Sequence, residues 1–470
     1  MTARKNRTIH PNRRLAATYL CALPKKYPTQ HPVLKNIFLQ HIASRINKPT
    51  APADTLLFFA ALLVVSMPLS PFLLSISMWG LVFVAFWRLA VDKRQASGGN
   101  IQWAKGRIVW DLLVESFRHF FRQPVYAVLV LLLLVPAFSG LWSADQAYWL
   151  ERTRVRLPFL VLPWAFANLP ALTQRQYQMV LYLLVWTMFI LCAGVGINFL
   201  LHKPEIMHAM YQGRPIPVPR HHIRFSLMLA TAVIAGGWLW HKRFFWRYAW
   251  EHSALGVATV FLFAFLHFLS VRSGLMALYV ALFFSLGYFV WRTRRWRLAL
   301  GMLALLAALP WVAINTLPSL KQKMEYMVYD WGRYLENEGE TYSDAERWIS
   351  LKTGWQIWRE NPWLGAGAGD LPAETNRIVK INYPAYEPTP KLPHNQFLYI
   401  LAGTGLFGLA LSLFAFLFPV LAGQHRLHYL FAVFQILVFT SFLVEYTIET
   451  SMGVAWYLFY TLWFMQLKKG

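Results

Sequence analysis

Three short runs in this 470-residue chain hold residue types that do chemistry at positions where a passive scaffold would not need them. The first is Arg220-His221-His222-Ile223-Arg224, which follows the stiff extended run Arg214-Pro215-Ile216-Pro217-Val218-Pro219. The second is Arg272, in Leu269-Ser270-Val271-Arg272-Ser273-Gly274 between two apolar stretches. The third is His394-Asn395, directly after Pro393, with Gly405 and Gly408 following at fixed offsets. Two or three arginines beside a neutral imidazole suit a doubly charged phosphate leaving group and a general base. Guanidinium forks hold the phosphate charge in substrate and product, while the imidazole takes a proton from an incoming hydroxyl. The candidate base is His394, and the candidate substrate-binding residues are Arg272, Arg224, Arg220 and Asn395. His394 is expected in the first turn of a helix, where the positive dipole end disfavours imidazolium and keeps the ring neutral near pH 7. Gly405 and Gly408 are expected to let a neighbouring helix approach the His-bearing helix closely.

Each run has a plainer reading. Arg272 could snorkel to lipid headgroups, the Arg220–Arg224 cluster could be a solvated juxtamembrane patch, and His394 could be structural. An intramembrane or turn arginine nevertheless costs a few kcal/mol unless it is paired or wet. The adjacent His221 and His222 lack acidic company, and these loops carry no carboxylate motif of a metal-dependent transferase. The reading is therefore metal-independent, with arginines in place of a divalent ion and no cofactor. Cys21 and Cys192, in a basic arm and an apolar segment, are poorly placed to pair.

The elements that must carry these residues follow from composition. Hydrophobic residues make up 57% of the chain and charged ones 14%, with a mean hydropathy of +0.38. Soluble domains carry about 25% charged residues. The chain is therefore expected to be an all-α polytopic membrane protein. Its net charge of +24 is assigned to basic cytoplasmic loops facing membrane lipids, with no nucleic-acid partner. Apolar stretches of bilayer-spanning length occupy 55–70, 72–91, 124–142, 157–172, 177–201, 225–240, 252–270, 274–291, 298–316, 396–420, 428–447 and 452–466. These give about twelve transmembrane helices, with both termini on one side.

Charge sets the orientation. Residues 1–53 hold ten Lys or Arg and no acid, and short basic runs recur at Lys242-Arg243, Arg292–Arg297, Arg426 and Lys468-Lys469. All fall in loops expected inside. The domains are then a basic cytoplasmic arm (1–53), helices one to nine (54–316), a large, partly helical periplasmic loop (317–393), and helices ten to twelve with a short tail (394–470). The loop holds about half of the acidic residues in the chain. Arg347 through Trp358 reads as an amphipathic helix, followed by a glycine-rich turn at 365–369. No Lys-Ser/Thr follows that turn, so it is not a P-loop. By this parity Arg220, Arg224, Arg272 and His394 share the outer face.

His394-Asn395 with Gly405 and Gly408 resembles the signature of bacterial O-antigen ligases, within the O-antigen ligase/polymerase superfamily. Ser270–Gly274 is similar to the arginine motif that opens that superfamily's common domain, and Arg347–Gly369 looks like its outer-loop segment. The likeness covers about residues 200–465. It implies an inner-membrane glycosyltransferase that moves a glycan from undecaprenyl diphosphate to a hydroxyl on the lipid A core, with the active site facing the periplasm. It also implies that His394 is the base and that Arg272, with Arg224 in preference to Arg220, holds the donor diphosphate. O-antigen or exopolysaccharide polymerases and protein O-oligosaccharyltransferases share this core and differ in acceptor. A polysaccharide transporter or flippase is a competing class; its internal repeats and midplane polar residues are not evident.

Overall fold

The computed structural model describes residues 51–96, 107–211, 214–316, 318–335, 343–384, 390–423 and 428–467. From Pro52 onward the chain forms one compact unit, and the basic arm lies, but for its last three residues, outside the described residues. Among the described residues helix is the regular element, as lipid demands of backbone groups that have no water to bond.

The first half gives α1 (Ala51–Leu69), α2 (Pro71–Ala96), α3 (Arg107–Phe121), α4 (Pro124–Leu141), α5 (Gln146–Arg156), α6 (Pro158–Asn168), α7 (Gln174–Leu201) and α8 (Lys203–Tyr211). The second half begins with α9 (His222–His241), α10 (Trp250–Leu269), α11 (Arg272–Thr293) and α12 (Trp296–Thr316). The hydrophilic insert holds α13 (Pro318–Leu335), α14 (Ser343–Glu360) and α15 (Leu371–Asn382). The chain closes with α16 (Gln396–Leu421), α17 (Tyr429–Val444) and α18 (Ser451–Met465).

Among the described residues nine helices are long and apolar enough to cross a membrane: α1, α2, α4, α7, α9, α10, α11, α12 and α16. This is an all-α polytopic membrane protein. The other three expected spans form shorter apolar helices, α6, α17 and α18, of 11, 16 and 15 residues. α6 begins on Pro158 and stops at Asn168, because Leu169 precedes Pro170 and is held extended. α17 stops at Val444, three residues short of the expected 447. There Glu445 turns the backbone extended (φ −153°, ψ 150°) and Thr447–Glu449 form a single 3₁₀ turn before α18.

The core is built around α9 and α18. All residues from Met452 to Phe464 of α18 are buried, and its aromatic side chains interlock with α17, as Phe434 does edge-on to Trp456 at 5.2 Å. The indole N–H of Trp456 donates to Thr231 Oγ1 of α9 at 3.0 Å, so the aromatic core carries its own polar tie.

α16 is broken at Gly405, whose φ of 65° and ψ of −169° no L side chain adopts readily. The break frees backbone groups for the glycine-rich turn of the insert. Ala366 and Gly367 N–H donate to the Ala402 and Gly403 carbonyls at 2.9 and 3.0 Å, and Leu406 N–H donates to Pro362 O at 2.9 Å. A Cβ on Gly405 would stand 2.1 Å from Trp363 O. The close approach expected at Gly405 is thus made by a loop; a helix could not supply these unpaired backbone groups. At Gly408 the expected helix is present, since a Cβ there would meet Val135 of α4 at 3.0 Å.

Candidate active site

His394 stands two residues ahead of the first residue of α16, with Asn395 between. Asn395 is the N-cap of α16: its Oδ1 accepts from Leu398 N–H at 2.9 Å, while its Nδ2 donates to Leu443 O at 3.0 Å. Both ends of the Asn395 amide are therefore engaged within the chain, tying the start of α16 to the end of α17. The helix dipole is answered by this cap, and the environment of the His394 ring is set by other groups. That differs from the first-turn placement expected from sequence.

The insert helix α14 packs directly on this corner. Gly354 leaves no room for a side chain against Pro393, whose Cγ would lie 2.6 Å from an added Cβ. Ser350 Oγ accepts from His394 N–H at 3.3 Å. One turn earlier, α14 delivers Arg347.

These contacts converge on Glu445, which is 1% exposed at the break between α17 and α18. Its Oε2 lies 3.3 Å from His394 Nδ1 and 4.0 Å from Arg224 Nη1, and its Oε1 accepts from Arg347 Nη2 at 3.1 Å. Arg224 Nη2 also donates to Tyr446 O at 3.1 Å, and the Tyr446 ring lies between the two, 5.3 Å from His394 and 5.8 Å from the Arg224 guanidinium. Burial pushes the Glu445 carboxyl up, but the His394 hydrogen bond and the charges of Arg347 and Arg224 outweigh it. They hold the carboxyl below its ordinary value.

An ionised carboxylate only accepts hydrogen bonds, so the His394 nitrogen facing Glu445 is the N–H donor. In the neutral ring this selects the tautomer with its lone pair on Nε2, a buried atom that has no partner among the described residues. Two guanidiniums meet one carboxylate here, which leaves one surplus positive charge.

A second buried cluster continues along the same segment. Glu449 pairs with Arg156 of α5 and accepts from Gln396 Nε2 at 2.7 Å, and Gln396 Oε1 accepts from Ile448 N–H at 3.0 Å. Gln396 is two residues past His394, so both acids brace the same corner.

The arginines expected from sequence are not equivalent. Arg224 is buried at 4% exposure against Glu445, whereas Arg347 keeps 30% of its side chain accessible. Arg220, in the left-handed region (φ 60°), donates to Met67 O at 3.1 Å and is exposed. Arg272 is half-buried as the first residue of α11. It stands at the same end of the bundle as Arg224, because Gly274 packs onto Ser226, each two residues further on; an added Cβ would lie 2.4 Å from Ser226 Oγ. His221 caps α9, with its Nδ1 accepting from Ile223 N–H at 3.3 Å, which accounts for one member of the histidine pair. No group of three or more His, Cys, Asp or Glu that could hold a metal occurs among the described residues.

Glu445 and Arg347 were not among the sequence candidates for the site. Glu445 lies within 428–447, an apolar stretch that reads as a span; an acid in such a stretch is itself a signal of function.

A polytopic helical membrane protein with a buried His–Glu pair flanked by arginines is the class these features define. Residues 257–413 match the family model described as O-Antigen ligase. The matched stretch includes Arg272, Arg347, His394, Gly405 and Gly408. Glu445, which meets His394, and Arg224, which meets Glu445, come from the flanks. No curated protein matches the chain.

Proposed function

We propose that the protein is a metal-independent glycosyltransferase of the cell inner membrane, with both termini cytoplasmic and the His394 corner facing the periplasm. It transfers a glycan from undecaprenyl diphosphate to a hydroxyl of the lipid A core. The observation that carries this reading is the pairing of His394 Nδ1 with Glu445 at 3.3 Å beside two arginines. His394 Nε2 takes the acceptor hydroxyl proton as that oxygen bonds to the anomeric carbon. The anomeric carbon–phosphate bond breaks, and undecaprenyl diphosphate leaves with its charge on guanidinium groups. Arg272 and the accessible Arg347 hold the diphosphate, with Arg220 at the rim. The buried Arg224 keeps Glu445 ionised, and Asn395 positions His394 through the cap it makes.

The test is the lipopolysaccharide of a deletion strain. Loss of long chains from lipid A while lipid-linked polymer accumulates is the expected result. A single-repeat ladder would make the protein a polymerase, and intact lipopolysaccharide with unglycosylated protein would make it a protein O-oligosaccharyltransferase. Purified enzyme should keep its activity in saturating chelator; loss restored by magnesium or manganese would overturn the arginine reading.

A further inference from the structure

At the end of the bundle remote from His394, a cavity of about 600 Å³ opens between the end of α2, α3 and the end of α6. The distance follows from α18, which starts beside Glu449 and ends at Gln466, whose amide donates to the Tyr126 hydroxyl next to Arg88 and His119. A helix of that length spans roughly 22 Å.

α3 carries three distinct stripes at helical spacing. Leu112, Ser116 and Phe120 are buried, and Ser116 Oγ accepts from the Trp164 indole of α6 at 3.3 Å. Trp110, Val114, Phe117 and Phe121 form an exposed apolar stripe, as on a helix lying in the headgroup region. Asp111, Glu115, Arg118 and Arg122 form the third stripe, which faces the cavity.

Four cationic side chains, Arg88, Lys93, Arg118 and Arg122, line the cavity against two carboxylates, Asp111 and Glu115. Two of the cations are already engaged. Arg88 donates to the Asn168 and Leu169 carbonyls at 3.2 and 2.6 Å and meets Asp92 at 3.2 Å, and Lys93 lies 3.8 Å from Glu115. Arg118 and Arg122 have no side-chain hydrogen bond or ion pair among the described residues. Beside them on the same cavity wall stand Trp110 and Val114.

We infer that this cavity binds the headgroup of an anionic phospholipid. Arg118 and Arg122 take the phosphate, and the acyl chains lie along Trp110, Val114 and Phe117. Paired guanidiniums next to an exposed apolar stripe match a ligand that is anionic at one end and hydrocarbon at the other. A soluble anion would use the arginines and leave the stripe idle.

The experiment titrates the purified full chain, in uncharged detergent, with dioleoyl phosphatidylglycerol, dioleoyl phosphatidylcholine or inorganic phosphate, reading bound lipid by native mass spectrometry. Phosphatidylglycerol should bind at least about tenfold tighter than phosphatidylcholine, and Arg118→Gln with Arg122→Gln should erase that preference. Asp111→Asn, which removes a repelling carboxylate from the wall, should tighten binding. Trp110→Ala should weaken lipid binding even with both arginines intact. Removing the same charge elsewhere, by Arg295→Gln with Arg297→Gln, should leave the preference in place. An equal loss in that control would mean diffuse attraction, and phosphate competing as well as the lipid would mean a free-anion site. Either result overturns the inference, as would equal binding of the two lipids.

Discussion

Glu445 Oε2 stands 3.3 Å from His394 Nδ1, a contact made by residues 51 apart in sequence that meet at the ends of two different helices. A glutamine at 445 can offer its amide N–H to Nδ1, which moves the imidazole proton to Nε2 and removes the lone pair from the side free to meet an acceptor. Glu445→Gln should therefore lower turnover by about 10²–10⁴-fold, the range general-base assistance provides, with little change in donor affinity. His394→Gln should fall as far, since an amide cannot take the acceptor's proton. Turnover and donor affinity measured for each variant, with a melting curve to check folding, separate this from a structural role. Undiminished turnover in Glu445→Gln would leave the base without its positioning residue.

The arginines should divide by burial. Arg272→Ala should abolish transfer, and Arg272→Lys should recover little, because a point charge does not reproduce a planar fork. Arg347→Ala should weaken donor binding. Arg224→Ala should lower stability by about 3 kcal/mol, because it takes a buried partner from a buried carboxylate. Arg220→Ala, at an exposed site, should leave the melting temperature unchanged. Donor affinity and melting in detergent, measured in parallel, check the division; an unchanged melt for Arg224→Ala would contradict it.

Acid should reveal the Glu445 cluster. The folded carboxyl lies below its ordinary value of 4.5, so the unfolded chain binds that proton more readily. The cluster's contribution to stability is then complete above pH 4.5 and is lost as pH falls through the lower folded value. Wild-type protein should lose melting temperature on acidification within that window. Glu445→Gln, less stable throughout, should show a shallower acid limb.

Gly405→Ala should detach the glycine-rich turn from α16, because both the positive φ and the Trp363 carbonyl exclude a Cβ. Limited proteolysis between Pro362 and Gly369 should accelerate, and activity should fall with it. Gly301→Ala, where an added Cβ meets nothing within 4 Å, should change neither.

Much of this was legible from the chain itself. Length and apolarity alone mark a bilayer span, so the nine long helices could be read directly from runs such as 177–201 and 298–316. The same rule misled at 428–447, where it drew Glu445 into a helix that ends at Val444. Pairing partners were hidden because nothing local in Glu445 points to Arg224, Arg347 or His394; only the fold brings their segments together. Arg347 was visible as part of a family-like segment but not as a site residue, since an arginine on an amphipathic helix is usually a solvated one. Gly405 was singled out for the right property, closeness, and assigned the wrong neighbour, because sequence does not distinguish a loop's approach from a helix's.

The order in which the ribosome makes this protein leaves Arg224 waiting. Its acceptor, the Tyr446 carbonyl, is synthesised 222 residues later, one residue after Glu445. At about 5–20 residues per second that gap lasts about 10–45 s. During that interval α9, the helix destined for the middle of the bundle, carries an uncompensated guanidinium at its mouth. A chain cut short before Val444 would keep it permanently, with no carboxylate to orient His394. The break between the last two helices is thus the final piece of this corner to be made, and until it exists neither the Arg224 guanidinium nor the His394 ring has the Glu445 carboxylate beside it.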